Sequence, residues 1–309
     1  MSTLKLGTRG SLLARKQSGM VAAELERLHS GLRVEIVTIS TTGDVVTDRP
    51  LHEVGGKGVF TREIELALID RRIDVAVHSF KDVPVTMPLV DISSLAFAAT
   101  PAREDPRDVL VSRWGGGIES LPAGARVGTS SLRRRCQLLA VRTDLTIESI
   151  RGNIDTRIRK IRDGAFDAVI LAAAGLNRSG LFDPAVMSFI DDNVMLPAAA
   201  QGALVIQCRA DDSRARGFVQ VLNDNATAAC VDLERRVVSE LHGDCHSPIA
   251  ALARISGDRI ELRAAVGASG GEAPVIRASA TGHVHDTSAV LRRVIDSLLA
   301  QGAEKLLGN

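Results

Sequence analysis

At 309 residues and 45% hydrophobic composition, the chain is long enough to bury more than one core, which favours two or three globular domains. Its 38 Lys and Arg nearly balance 37 Asp and Glu, so no global field recruits nucleic acid or an anionic membrane, and any anion site must be local. The four cysteines, Cys136, Cys208, Cys230 and Cys245, form no CxxC pair and have no zinc-type His spacing, so no metal is expected and a reducing, cytoplasmic setting fits best.

In chain order, residues 4–7 read as a strand. Thr8-Arg9-Gly10-Ser11 then turns into a helix whose Leu13, Met20, Val21, Leu25 and Leu28 recur at near-helical spacing. Residues 34–39 form a second strand. The stretch 41–58 is polar, Gly-rich and without period, which predicts a long mobile loop; Gly55-Gly56-Lys57-Gly58 lacks phosphate-loop spacing and suits a moving lid. A helix from about 59 to 69 follows, then the strand 74–79, which stops at Lys81-Asp82-Val83-Pro84.

A second alternating block starts near Arg103, with strands at 126–128, 146–150 and 166–171 and helices at 132–141 and 154–161. Leu196-Pro197 and Gln201-Gly202 break the pattern, and the strand 203–209 is expected to return to the first sheet, making two crossings and a hinge. A helix at 226–241, strands near 250–255 and 260–266 and a final helix at 288–299 make a smaller α+β domain. The alternation predicts an α/β fold with mainly parallel sheets covered on both faces, divided into residues 1–99 with 200–218, 103–196, and 220–309. No run approaches membrane-spanning length, and the first ten residues carry no targeting pattern.

The strongest chemical signal is a local charge excess: residues 126–162 hold ten Arg and Lys against Asp144, Glu148 and Asp155. Ser131, Arg133, Arg134 and Arg151 sit where strands turn into helices, at the sheet edge where free N–H groups and Arg forks bind carboxylate or phosphate. Arg135, Arg142, Arg159, Lys160 and Arg162 read better as a solvated face. Asp82 ends an apolar strand beside Lys81, either as a catalytic carboxylate or as a turn cap before Pro84. His78 reads as a satisfied core histidine. Cys245 lies in a Gly- and Pro-bounded loop and is accessible, whereas the other three cysteines fall within regular elements. These residues alone leave an enzyme, a two-lobed anion-binding protein and a DNA-binding regulator in play.

Taken together, Gly7-Thr8-Arg9, Ser40-Thr41-Thr42-Gly43-Asp44, residues 77–84, residues 128–134, Ile150-Arg151-Gly152-Asn153, Ala174-Gly175-Leu176 and the loop 241–248 resemble the porphobilinogen deaminase family along essentially the whole chain. The resemblance implies two domains like type-2 periplasmic binding proteins around a cleft, plus a smaller C-terminal domain. It also implies a monomeric cytoplasmic transferase of tetrapyrrole biosynthesis that acts on porphobilinogen, with a dipyrromethane cofactor held by a thioether to Cys245. By the same resemblance Asp82 is catalytic. Lys81, Ser131, Arg133, Arg134 and Arg157 hold the cofactor; Arg9, Ser11, Arg151 and Arg178 hold substrate; Lys57 and Phe60 belong to the lid. The chain departs from the family pattern at Glu53, at His242-Gly243-Asp244 where Glu-Gly-Gly is usual, and at Ala198-Ala199-Ala200-Gln201-Gly202, where the hinge is usually richer in glycine.

Overall fold

The computed structural model describes residues 2–41, 58, 61–85, 90 and 93–308; Glu53, Lys57, Phe60 and the body of the expected lid loop lie outside them. The chain divides into two compact units, Met1–Glu104 with Ala203–Ala228, and Asp105–Gly202 with Ala229–Asn309. It runs β1 (Ser2–Arg9), α1 (Leu12–Leu28), β2 (Leu32–Ile39), α2 (Arg62–Ile69), β3 (Val75–Ser79) and β4 (Leu95–Ala99). It continues through β5 (Asp108–Ser112), β6 (Arg126–Gly128), α3 (Leu132–Leu139), β7 (Thr146–Glu148), α4 (Ile154–Arg162), β8 (Ala168–Ala172), α5 (Ala173–Ser179) and β9 (Met187–Phe189). After β10 (Leu204–Arg209), α6 (Ser213–Val219) and α7 (Asn225–Glu240) come β11 (Ile249–Ser256), β12 (Arg259–Gly267), β13 (Val275–His283), α8 (Thr287–Ala300) and α9 (Ala303–Leu307).

The first unit is built on a five-stranded sheet in the order β2-β1-β3-β10-β4. Leu4 and Leu6 of β1, Val21, Ala22 and Leu25 of α1, and Ile206 and Cys208 of β10 share one core, so of the apolar residues read from α1 Val21 and Leu25 pack on the sheet, whereas Met20 and Leu28 are exposed. The strand at 203–209 does join this sheet, as expected. The second unit holds a five-stranded sheet in the order β7-β6-β8-β5-β9, which has the same pattern of strand directions.

In each sheet four of the five strands run one way and a single strand runs against them. The β1–β2, β1–β3, β6–β7 and β6–β8 pairs are parallel, but β10 runs antiparallel to β3 and β4, and β5 antiparallel to β8 and β9. The two reversed strands are the ones that open each newly entered unit, β5 after residue 105 and β10 after residue 203. A strand arriving from elsewhere is not bound to its neighbour by a helical crossover, so it is free of the parallel rule.

The strands that sequence patterning missed have physical reasons for being illegible. In β5 all five residues are buried, so no alternation marks it, and β4 is Ala-rich with only its end residues buried. A third sheet, β11-β12-β13, is an antiparallel meander on which α8 lays Val290, Val294 and Leu298. Within the second unit this sheet is clamped to the segment after β9. Arg254 and Arg263 both reach Asp192, and Arg277 donates to the Val194 carbonyl at 2.8 Å.

Candidate functional site

The two five-stranded sheets present equivalent turns. At the carboxyl end of β1, Ser11 caps α1 and its Oγ accepts from the Ala14 N–H at 3.3 Å. At the carboxyl end of β6, Ser131 caps α3 and its Oγ accepts from the Arg134 N–H at 3.4 Å. Both helices therefore open with a serine cap at a sheet edge, where helix N-termini favour anions. Arg9 is half-buried at the end of β1, and Ser11 is half-buried beside it.

Because β6, β7 and β8 are mutually parallel, their carboxyl ends lie on one edge, which carries Ser131, Arg151 and α5 with Arg178. Ser130 Oγ stitches the first two turns together: it accepts from the Ile150 N–H at 3.1 Å and lies 2.8 Å from Ser149 Oγ. Arg157 Nε donates to the Gly152 carbonyl at 2.8 Å and Lys160 Nζ to the Arg151 carbonyl at 3.2 Å, so α4 braces the turn that bears Arg151. Lys160, expected on a solvated face, is thus part of that brace. Arg142 is likewise structural, donating to the Ile118 and Leu121 carbonyls and pairing with Asp144 at 2.8 Å. Arg178 Nη2 reaches the Gly202 carbonyl at 2.8 Å.

Arg133 and Arg134 are buried, and the sequence analysis did not single out the partner they share. Asp108, at the start of β5 and fully buried, accepts from Arg133 Nη1 at 2.8 Å, from Arg134 Nη2 at 2.7 Å and from Gln201 Nε2 at 2.9 Å. Arg133 also donates to the Leu196 carbonyl at 2.6 Å, Arg134 to that of Ile170 and Gln201 to that of Pro106, both at 2.8 Å. Burial by itself would raise the Asp108 pKa, but the charges of Arg133 and Arg134 outweigh it and hold the carboxyl well below the ordinary aspartate range. The one available sequence signal was a carboxylate placed directly before an apolar run.

Asp108→Asn is therefore expected to destabilise the protein by about 3–5 kcal/mol at neutral pH, because it leaves two buried guanidinium groups undercompensated. The folded pKa lies below the unfolded value of about 3.9, so the stabilisation is complete above that pH and is lost as pH falls through the lower folded value. Melting curves of the two proteins should be well separated at pH 7 and converge under acid. A constant gap would contradict the ion-pair assignment.

Asp82 is exposed and closes a single 3₁₀ turn, Phe80–Asp82, at the carboxyl end of β3, with Lys81 half-buried next to it. The strand beneath is rigidly supported. Gln207 of β10 gives its Nε2 to Glu65 at 3.0 Å, so its Oε1 faces His78 and accepts from Nε2, also at 3.0 Å. Burial holds the His78 pKa down at about 4, so this histidine is a neutral core residue.

Cys245 is exposed, while Cys136, Cys208 and Cys230 are buried; burial pushes the Cys136 and Cys208 thiols up to about 11. Loop residues 241–244 and 246–248, on either side of Cys245, line one cavity of about 220 Å³ within the second unit together with Leu132, the first residue of α3. The loop's far end is pinned by the Gly267 N–H, which donates to the Pro248 carbonyl at 3.0 Å. Only glycine fits at 267, since a Cβ there would stand 2.2 Å from Cys136 Sγ on α3. Ala200, in the expected hinge, adopts a left-handed φ of 62°, the conformation in which glycine costs least. Its N–H donates to buried Glu234 at 2.7 Å, and the other Glu234 oxygen accepts from Ala253 at 2.8 Å.

Residues 4–217 match the family model for the porphobilinogen deaminase dipyrromethane cofactor binding domain, and residues 228–300 the model for the porphobilinogen deaminase C-terminal domain. A porphobilinogen deaminase of Syntrophobacter fumaroxidans is 47% identical, covering 98% of this chain and 96% of that one. One from Xanthomonas oryzae pv. oryzae is 46% identical over 99% of both, and one from Roseiflexus sp. 45% identical over 99% and 98%. Among solved structures, the methionine binding protein MetQ aligns with a TM-score of 0.45 at 15% identity, over 73% of this chain and 92% of that one. With two domain models in sequence and near-half identity along its length, the chain belongs to the porphobilinogen deaminase family.

Proposed function

We propose that this chain joins four porphobilinogen molecules head to tail, with loss of ammonia, and releases the linear tetrapyrrole hydroxymethylbilane. The observation that carries this reading is the exposed Cys245 in a loop sharing a cavity with the start of α3, in a chain of this family. An exposed thiol with a basic sheet edge in the same unit suits a covalently held group rich in carboxylates. When bound by a thioether to Cys245, the dipyrromethane supplies the primer on which the pyrrole chain grows.

The chain's own residues then divide the work. Each pyrrole brings an acetate and a propionate, and these need cationic forks and N–H donors. Lys81, Ser131, Arg133, Arg134 and Arg157 would hold the cofactor, and Arg9, Ser11, Arg151 and Arg178 the incoming pyrrole or growing chain. Because Asp108 offsets one of their two charges, Arg133 and Arg134 offer a single net positive charge between them. Asp82 would stabilise positive charge on a pyrrole nitrogen as ammonia leaves and the carbon–carbon bond forms. Lys57 and Phe60 would act in a lid.

The same reading divides the chain into residues 1–99 with 200–218, 103–196 and 220–309, and makes it a cytoplasmic monomer. Four cysteines, none of them in a disulfide, support a reducing compartment, and no helix among the described residues is long and apolar enough to cross a membrane. The test is direct: purified protein incubated with porphobilinogen should consume it, releasing one ammonia per pyrrole and a linear tetrapyrrole. Binding without consumption would overturn the enzymatic reading in favour of a simple anion-binding protein.

A further inference from the structure

The loop bearing Cys245 leaves α7 through left-handed His242, and its Gly243 N–H donates to the Val238 carbonyl at 2.9 Å. At the other end Pro248 is tied to Gly267. Between these anchors the loop borders a cavity and is shaped by hydrogen bonds. Asp244 Oδ1 accepts from the His246 N–H at 2.9 Å, from the Ser247 N–H at 3.1 Å and from Ser247 Oγ at 3.1 Å. Ser247 Oγ in turn accepts from the Asp244 N–H at 2.9 Å. The two residues that clasp each other flank Cys245 at positions 244 and 247, so the bonds close a ring around the cysteine's own backbone.

From this geometry we infer that Asp244 is a positioning residue for cofactor attachment: with Ser247 it preshapes the loop so that Cys245 is held outward, ready to be loaded. The inference rests on the functional reading above and concerns only how the thiol is presented. What Asp244 contributes is an acceptor oxygen at the right reach, which asparagine also has and alanine lacks.

Two readouts on the cofactor-free full-length protein test it. In hydrogen exchange, the His246 amide of Asp244→Ala should exchange about tenfold faster or more than in wild type, since its carboxylate acceptor is gone, whereas the Ser247 amide keeps the Asp244 backbone carbonyl as an acceptor at 3.2 Å. In a time course with porphobilinogen followed by intact mass, Asp244→Ala should acquire its adduct about tenfold more slowly, because a misplaced reacting group loses its orientation advantage. Asp244→Asn should restore both to near wild type. If Asp244→Ala fails to fold, Ser247→Ala, which removes the acceptor of the Asp244 N–H, should speed exchange of the Asp244 amide and slow loading in the same way. Loading of Asp244→Ala at the wild-type rate would overturn the inference, as would an asparagine variant as slow as alanine. A wild-type protein that gains no mass would instead overturn the functional reading on which it rests.

Discussion

Asp82→Asn is expected to lower turnover of cofactor-loaded enzyme by on the order of 10²-fold or more while leaving the melting temperature near wild type. The amide keeps the size of the carboxylate but can neither stabilise a developing pyrrolic cation nor accept a proton. Its support should not move. β3 is held by the His78–Gln207–Glu65 chain, and buried Phe80 packs edge-on against Phe97 with ring centroids 5.2 Å apart. Asp82 itself is exposed and contributes little packing, so a substitution there falls within about 0.5 kcal/mol of wild type. Asp82→Glu, which keeps the charge at a different reach, should fall between the two. Steady-state rates normalised to intact-mass loading provide the check, and loaded Asp82→Asn at the wild-type rate would move the catalytic role elsewhere.

Cys245→Ala should abolish both the covalent adduct and normal turnover. The wild-type protein should weigh more than its chain, the variant should weigh the chain alone, and peptide mapping should place the added mass on Cys245. No other cysteine offers a substitute. Cys136, Cys208 and Cys230 are buried, and the Cys136 and Cys208 thiols, pushed up to about 11 by burial, are almost wholly protonated at neutral pH. Cys245→Ala should also melt close to wild type, since an exposed side chain fills no cavity. An adduct mapped to another residue, or full activity in the alanine variant, would refute the attachment site.

Much of this protein is determined by local sequence alone. The amphipathic spacing of α1, the serine that caps it, the β-branched β3 ending at Lys81-Asp82 and the Gly- and Pro-bounded loop of Cys245 are short-range patterns. Each is set by propensity, capping and periodicity within a dozen residues. The signature segments that place the chain in its family are short runs of the same kind, and so were readable before any contact was known. Tertiary structure decided what those patterns could not carry. The β5 strand has no period because both its faces are buried, and its reversed direction reflects where the chain arrives from, not what its residues prefer. Arg133 and Arg134 read from sequence as anion-binding forks at a turn. That Asp108 claims both of them, from 25 and 26 residues away, depends on strand pairing across the sheet. The Asp244–Ser247 clasp was close in sequence yet equally hidden, since a carboxylate near a serine becomes a clasp only when the loop's ends are pinned over a cavity. Local patterns specify elements because their energies are short-range, whereas the pairing of buried charges is settled only when distant segments share a low-dielectric interior.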